Sequence, residues 1–123
     1  MTWTAGAPLR EVFECHCTRC QHITGNFMAA TAAPTAALEI SGTELRWYSP
    51  AEDSNVAYGF CATCGSSLFF RSGVNEGSNT VTSICVGSID GPSGLRTETV
   101  WFAADAADHV RLDPNVPTFP GQP

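Results

Sequence analysis

Five cysteines in two tight clusters constrain this chain more than any other feature. Residues 15–20, "CHCTRC", read C-x-C-x2-C, and residues 61–64, "CATC", read C-x2-C. A sixth, Cys85, stands apart in "TVTSICVG". Thiols grouped this closely do not make the spread framework of a disulfide scaffold. In a reducing compartment they serve as metal ligands or as redox thiols. A C-x2-C turn curls back so that both sulfurs face one point, and Gly65, directly after Cys64, permits the positive φ such a turn needs. The redox alternative belongs to a motif that opens a helix in a β-α-β unit. Here strand-like segments flank the pair on both sides, so it reads as a metal site.

The first cluster has its own geometry. If residues 15–17 are extended, Cys15 and Cys17 project from one face and His16 from the other. Cys20, three residues on, can close on the same point. Three thiolates with an open fourth position describe a catalytic zinc, and four closed ligands describe a structural one. Spacing leaves two arrangements open: a tripod of Cys15, Cys17 and Cys20, or one four-thiolate staple drawn from both clusters.

The rest of the chain is read around these clusters. Its 123 residues suit a single domain, 1–123. Short strand-like segments dominate: Leu9–Glu14, Leu38–Ile40, Glu44–Tyr48, Val56–Phe60, Ser67–Arg71, Thr80–Gly87 and Thr97–Ala103. Only Thr18–Thr24 reads as a helix. The stretch 114–123 carries four prolines and is expected to be a loose, extended tail. The fold class is therefore mostly β, with short antiparallel strands. Net charge is −6, with no lysine and six arginines scattered singly. That pattern lacks the clustered basic face nucleic-acid binding requires. No apolar run approaches the ~20 residues that span a bilayer, and no signal-peptide pattern opens the chain, which points to the cytoplasm.

"CHCTRCQHITG", "GFCATCGSSLFF", "VGSIDGPSGL" and "VWFAADAADHVRLDPNVPTFPG" together resemble the glutathione-dependent formaldehyde-activating enzyme family, which includes the centromere protein V domain. The resemblance runs from Gly6 to Gly121. It implies a zinc-binding fold of the β-tent class with two zinc sites. The catalytic site is implied at Cys15, Cys17 and Cys20. The structural site is implied at Cys61 and Cys64, together with an N-terminal C-x-C pair. The implied activity is that of a carbon–sulfur lyase, condensing formaldehyde with glutathione to S-hydroxymethylglutathione. The family's N-terminal C-x-C-G segment has no counterpart in these residues. Either the start lies further upstream, or that zinc is lost and one ion remains.

A zinc site of this kind activates an incoming small-molecule thiol such as glutathione, because the metal lowers its pKa. A nearby acid must protonate the new hydroxyl oxygen. His16 and His22 are the candidates by position, with His16 preferred, and Arg19 is a candidate for a substrate carboxylate. The competing reading is a zinc-stapled binding module without catalysis. Cys85 is read as core packing.

Overall fold

A computed structural model describes residues 1–123. Nine strands and one helix follow in the order β1 (Thr2–Ala5), β2 (Val12–Cys15), α1 (Thr18–Thr24), β3 (Met28–Pro34), β4 (Leu38–Ser41), β5 (Leu45–Tyr48), β6 (Val56–Cys61), β7 (Ser67–Ser72), β8 (Val81–Cys85) and β9 (Thr97–Trp101). The protein is mostly β. Strands β1 and β4 pair as a two-stranded sheet, and the other seven form a sheet in the order β5-β6-β7-β8-β3-β2-β9. Every neighbouring pair is antiparallel except β2 and β9, which run parallel. Residues 16–96 separate these two strands, so no tight hairpin dictates their direction.

The large sheet buries side chains on both faces, and strand alternation sorts them. On one face lie Met28 and Ala30 of β3, Val56 and Tyr58 of β6, and Cys15 of β2, with Phe70 of β7 packed against them. On the other lie Ala33, Cys61, Phe69 and Ile84. The small sheet covers this second face with Trp3 and Ala5 of β1 and Leu38 and Ile40 of β4. Gly59 of β6 sits between Trp47 and Phe69, whose rings stack 6.2 Å apart. A Cβ at Gly59 would fall 3.1 Å from Trp47 and 3.2 Å from Phe69, so a side chain there would press both rings to shift by a few tenths of an ångström.

Strand β3, "MAATAAP", lies outside the strands expected from the sequence, because alanine has little strand preference of its own. Ala30, Ala32 and Ala33 are nevertheless 0–2% exposed, in a strand flanked by β8 and β2. Small side chains let both faces of the sheet be covered closely there. Tertiary packing overrides propensity in this strand.

The last residues run extended beside β9. The amide of Val100 donates to Pro117 O at 3.0 Å, and that of Phe119 donates to Val100 O at 2.8 Å. Phe102 N donates to Gly121 O at 3.0 Å, and Ala103 N to Phe119 O at 2.9 Å. Prolines lack a donor but keep a carbonyl, so a proline-rich segment can still line the edge of β9. No helix is long and apolar enough to cross a membrane.

Candidate metal centre and its cavity

Strand β2 delivers the first thiol. Cys15 is opposite Met28 in β3 and Trp101 in β9, and His16 N continues the pairing by donating to Trp101 O at 3.0 Å. The chain then turns into α1, with Cys17 at the N-cap (φ −59°, ψ 151°). Its sulfur accepts from Cys20 N at 3.3 Å, the role an N-cap side chain ordinarily plays. One helical turn carries Cys20 back beside Cys15 and Cys17. Gly25, in the left-handed conformation at φ 80°, ends the helix. Gln21 anchors it by donating to His16 O at 2.7 Å and to Asp105 O at 2.8 Å.

The sulfurs of Cys15, Cys17 and Cys20 lie within 4.8 Å of one another. Tetrahedral zinc–thiolate bonds of ~2.3 Å require sulfurs ~3.8 Å apart. The donor set is wholly soft and its spacing suits one ion, so a metal fits these residues. Without a metal, hydrogen bonds couple the three thiols. Hydrogen bonds from the side chains of Cys15 and Cys20, aided by the backbone N–H groups of Cys20 and Arg19, pull the Cys17 thiol down to about 2. The Cys15 thiol is pushed up to about 11, first by its bond to Cys17 and also by burial. Cys20 is pushed up by Cys15 and Cys17 and by burial. One negative charge is thus held at Cys17 by two protonated neighbours.

A cavity of about 490 Å³ opens beside these thiols. Phe13, Tyr58, Phe70, Trp101 and Phe102 form much of its wall. Phe13 and Trp101 stack with centroids 4.3 Å apart and planes 17° from parallel, and Tyr58 packs on Phe70 at 5.1 Å. The indole N–H of Trp101 is buried without an acceptor. Phe102 is the sole non-glycine residue with a positive φ, at 56°. Its charged lining residues are Arg10, Arg19 and Asp53. Arg19 is already matched, by Asp53 Oδ2 at 3.4 Å and Glu52 Oε1 at 3.7 Å. Arg10 is exposed and takes part in no ion pair. Burial, with the charge at the cysteines, raises the Tyr58 phenol above its ordinary value. It therefore keeps its proton and remains an O–H donor.

The family model of the glutathione-dependent formaldehyde-activating enzyme matches residues 1–105. The chain belongs to this family. No curated protein matches the chain. Among solved structures, the crystal structure of a Rhodobacter sphaeroides protein is similar, with 20% identity and a TM-score of 0.53. That match covers 68% of this chain and 72% of the other. At this identity the likeness concerns the fold alone.

Within this glutathione-dependent formaldehyde-activating family member, the residues singled out from the sequence go to different places. Cys15, Cys17 and Cys20 converge. His16 does not join them: it is 1% exposed and meets Glu14 Oε1 through Nε2 at 3.1 Å. Its ring stacks on Phe27 at 4.6 Å, and it is not part of the cavity wall. Alternation out of β2 turns it from the thiols. His22 is exposed on α1 and outside the cavity wall. Cys61 and Cys64 line a separate cavity of about 610 Å³, with Met1 and Glu44. Cys61 is on the face of β6 opposite Tyr58, so a single staple of both clusters is not formed. Gly65 follows Cys64 at φ 76°, as the turn requires. Cys64 Sγ lies 3.0 Å from Ser66 Oγ, which holds this exposed thiol below its ordinary value. Half-buried Cys85 packs at the edge of the Cys15 cluster. Arg10 and Phe102 were not legible as site residues. Their only sequence signal was nearness to "FECHC" and to the strand at Thr97.

Proposed function

We propose that this family member binds zinc at Cys15, Cys17 and Cys20 and acts as a carbon–sulfur lyase on the adduct of an aldehyde with a thiol such as glutathione. One observation carries this reading: three converging thiols border a cavity large enough for a small molecule. A zinc ion there would lower the pKa of a substrate thiol that joins it. In the condensation the thiol sulfur bonds to the carbonyl carbon, and the thiol proton ends on the former carbonyl oxygen. The lyase direction breaks the same carbon–sulfur bond. Tyr58 O–H and the Arg19 guanidinium are the donors on the wall suited to hold that oxygen. Arg10, at the same cavity and without an anionic partner, suits a carboxylate of the thiol substrate. The aromatic wall keeps water from the reacting atoms.

Cys61 and Cys64 form a second candidate metal site. Two thiols from these residues leave half of a tetrahedron to other donors. Six unpaired cysteines suit a reducing, cytoplasmic setting.

The test is exchange NMR of the hemithioacetal formed by glutathione and an aldehyde, with and without protein. Faster exchange than in the protein-free control, lost in Cys17→Ser, is expected. Exchange equal to the control would remove the lyase reading and favour a zinc-stapled binding module.

A further inference from the structure

We infer that the cavity beside the cysteine cluster recognises an aryl-sized apolar group on the carbonyl partner, so the aldehyde handled here carries a ring or a comparably bulky hydrocarbon. This rests on the function proposed above and goes further by naming the substrate class.

The wall is the first ground. Phe13, Phe70, Trp101 and Phe102 face a volume of about 490 Å³. An apolar cavity of about 150 Å³ already accepts benzene. The space therefore holds a ring together with the thiol's cysteinyl portion. The single carbon of formaldehyde would leave most of the aromatic wall against water, and apolar surface left wet gives up its burial free energy.

The second ground is the backbone at Phe102. Its φ of 56° and ψ of 40° are left-handed, a conformation bulky side chains rarely adopt. Hydrogen bonds hold it there: Phe102 N donates to Gly121 O, and Asp105 N donates to Phe102 O, both at 3.0 Å. Strain of this kind persists only where the surroundings enforce it, and it clusters at ligand sites. Here it places one more ring on the wall.

The third ground is charge. Arg19 is matched by Asp53 and Glu52, which leaves Arg10 as the single cation without an anionic partner among the lining residues. One cation serves one carboxylate. Beside it, Phe13, Met28, Phe70, Trp101 and Phe102 supply surface suited to hydrocarbon.

Two unreactive thioethers test this by calorimetry on the zinc-supplemented protein: S-benzylglutathione and S-methylglutathione. S-benzylglutathione is expected to bind at least fivefold more tightly. A ratio below fivefold, or no measurable binding of either, overturns the inference. Phe102→Gly is expected to fold, because glycine accepts the left-handed backbone, and to cut the ratio by at least half. Ser83→Phe, which adds a ring to the same cavity from β8, is expected to do the same. A ratio unchanged in both variants would place the benzyl group elsewhere and overturn the inference. Hemithioacetal exchange with benzaldehyde and with formaldehyde is measured alongside. A benzyl preference without faster exchange sinks the lyase reading and leaves the aryl site standing. Faster exchange without the preference does the reverse.

Discussion

His16 directs its Nε2 to Glu14 Oε1, 3.1 Å away, and turns its back on the two cysteines that flank it. The residue is 1% exposed and stacked on Phe27. Its contribution is to packing. His16→Ala is expected to lower unfolding free energy by about 2–4 kcal/mol, through the cavity left and the unpartnered Glu14. Zinc content per folded molecule should stay the same. Denaturant unfolding and metal analysis of the same sample check both halves. A stable variant that has lost its metal would restore His16 to the site.

Substituting any one of Cys15, Cys17 or Cys20 with serine is expected to remove or sharply weaken metal binding at this centre, because each supplies one of three convergent donors. Cys85→Ser should retain full metal content. Elemental analysis of protein purified without chelator decides. Equal losses from Cys17→Ser and Cys85→Ser would show that the cluster is wrongly drawn.

The metal-free protein should show a pH dependence set by the thiols. Cys17 falls from an ordinary 9.0 to about 2 on folding. Its contribution to stability is complete above pH 9 and is lost as pH falls toward 2. Cys15 rises from 9.0 to about 11, so its contribution is complete below pH 9 and is lost as pH rises toward 11. The stability gap between the metal-free native chain and Cys17→Ser is therefore expected to widen from pH 5 to pH 8. Urea unfolding at each pH measures it, and a flat gap would mean that Cys17 carries no thiolate.

Arg10→Ala is expected to raise KM for glutathione about 1.5- to 5-fold, the scale of one exposed charge–charge contact, and to leave KM for 2-mercaptoethanol unchanged. The neutral thiol has no carboxylate for the guanidinium to meet. A parallel rise for both thiols would assign Arg10 to shaping the cavity instead.

Removing residues 117–123 is expected to lower the melting temperature by several degrees. It strips the hydrogen bonds to Val100, Phe102, Ala103 and Ala104 and bares the edge of β9. It also frees Phe102 from Gly121, so preference for the benzyl thioether should fall with it. A melting temperature equal to that of the full chain would return this segment to a loose tail.

The local chemistry of the candidate site was legible because it is local. Cys15, Cys17 and Cys20 are joined by two residues of extended chain and one turn of helix, and both have fixed periods. The same alternation already put His16 on the far side of Cys15 and Cys17. Helix α1 (Thr18–Thr24) and most strands could be read from their polar and β-branched patterns, within three residues at their ends. Strand β3 could not, since its alanines are chosen by the crowding of a central strand and carry no strand preference.

Tertiary structure decided what the thiols face. Pairing β9 parallel to β2 sets Trp101 against Cys15 and stacks it on Phe13. Threading the last residues along β9 holds Phe102 in its left-handed turn. Opposite faces of one sheet keep Cys61 from the Cys15 cluster. Each of these depends on contacts between residues far apart in the chain. Such contacts are selected by burial summed over the whole fold, and no spacing within a short segment encodes them, whereas the three-thiol cluster needs only the geometry of six consecutive residues.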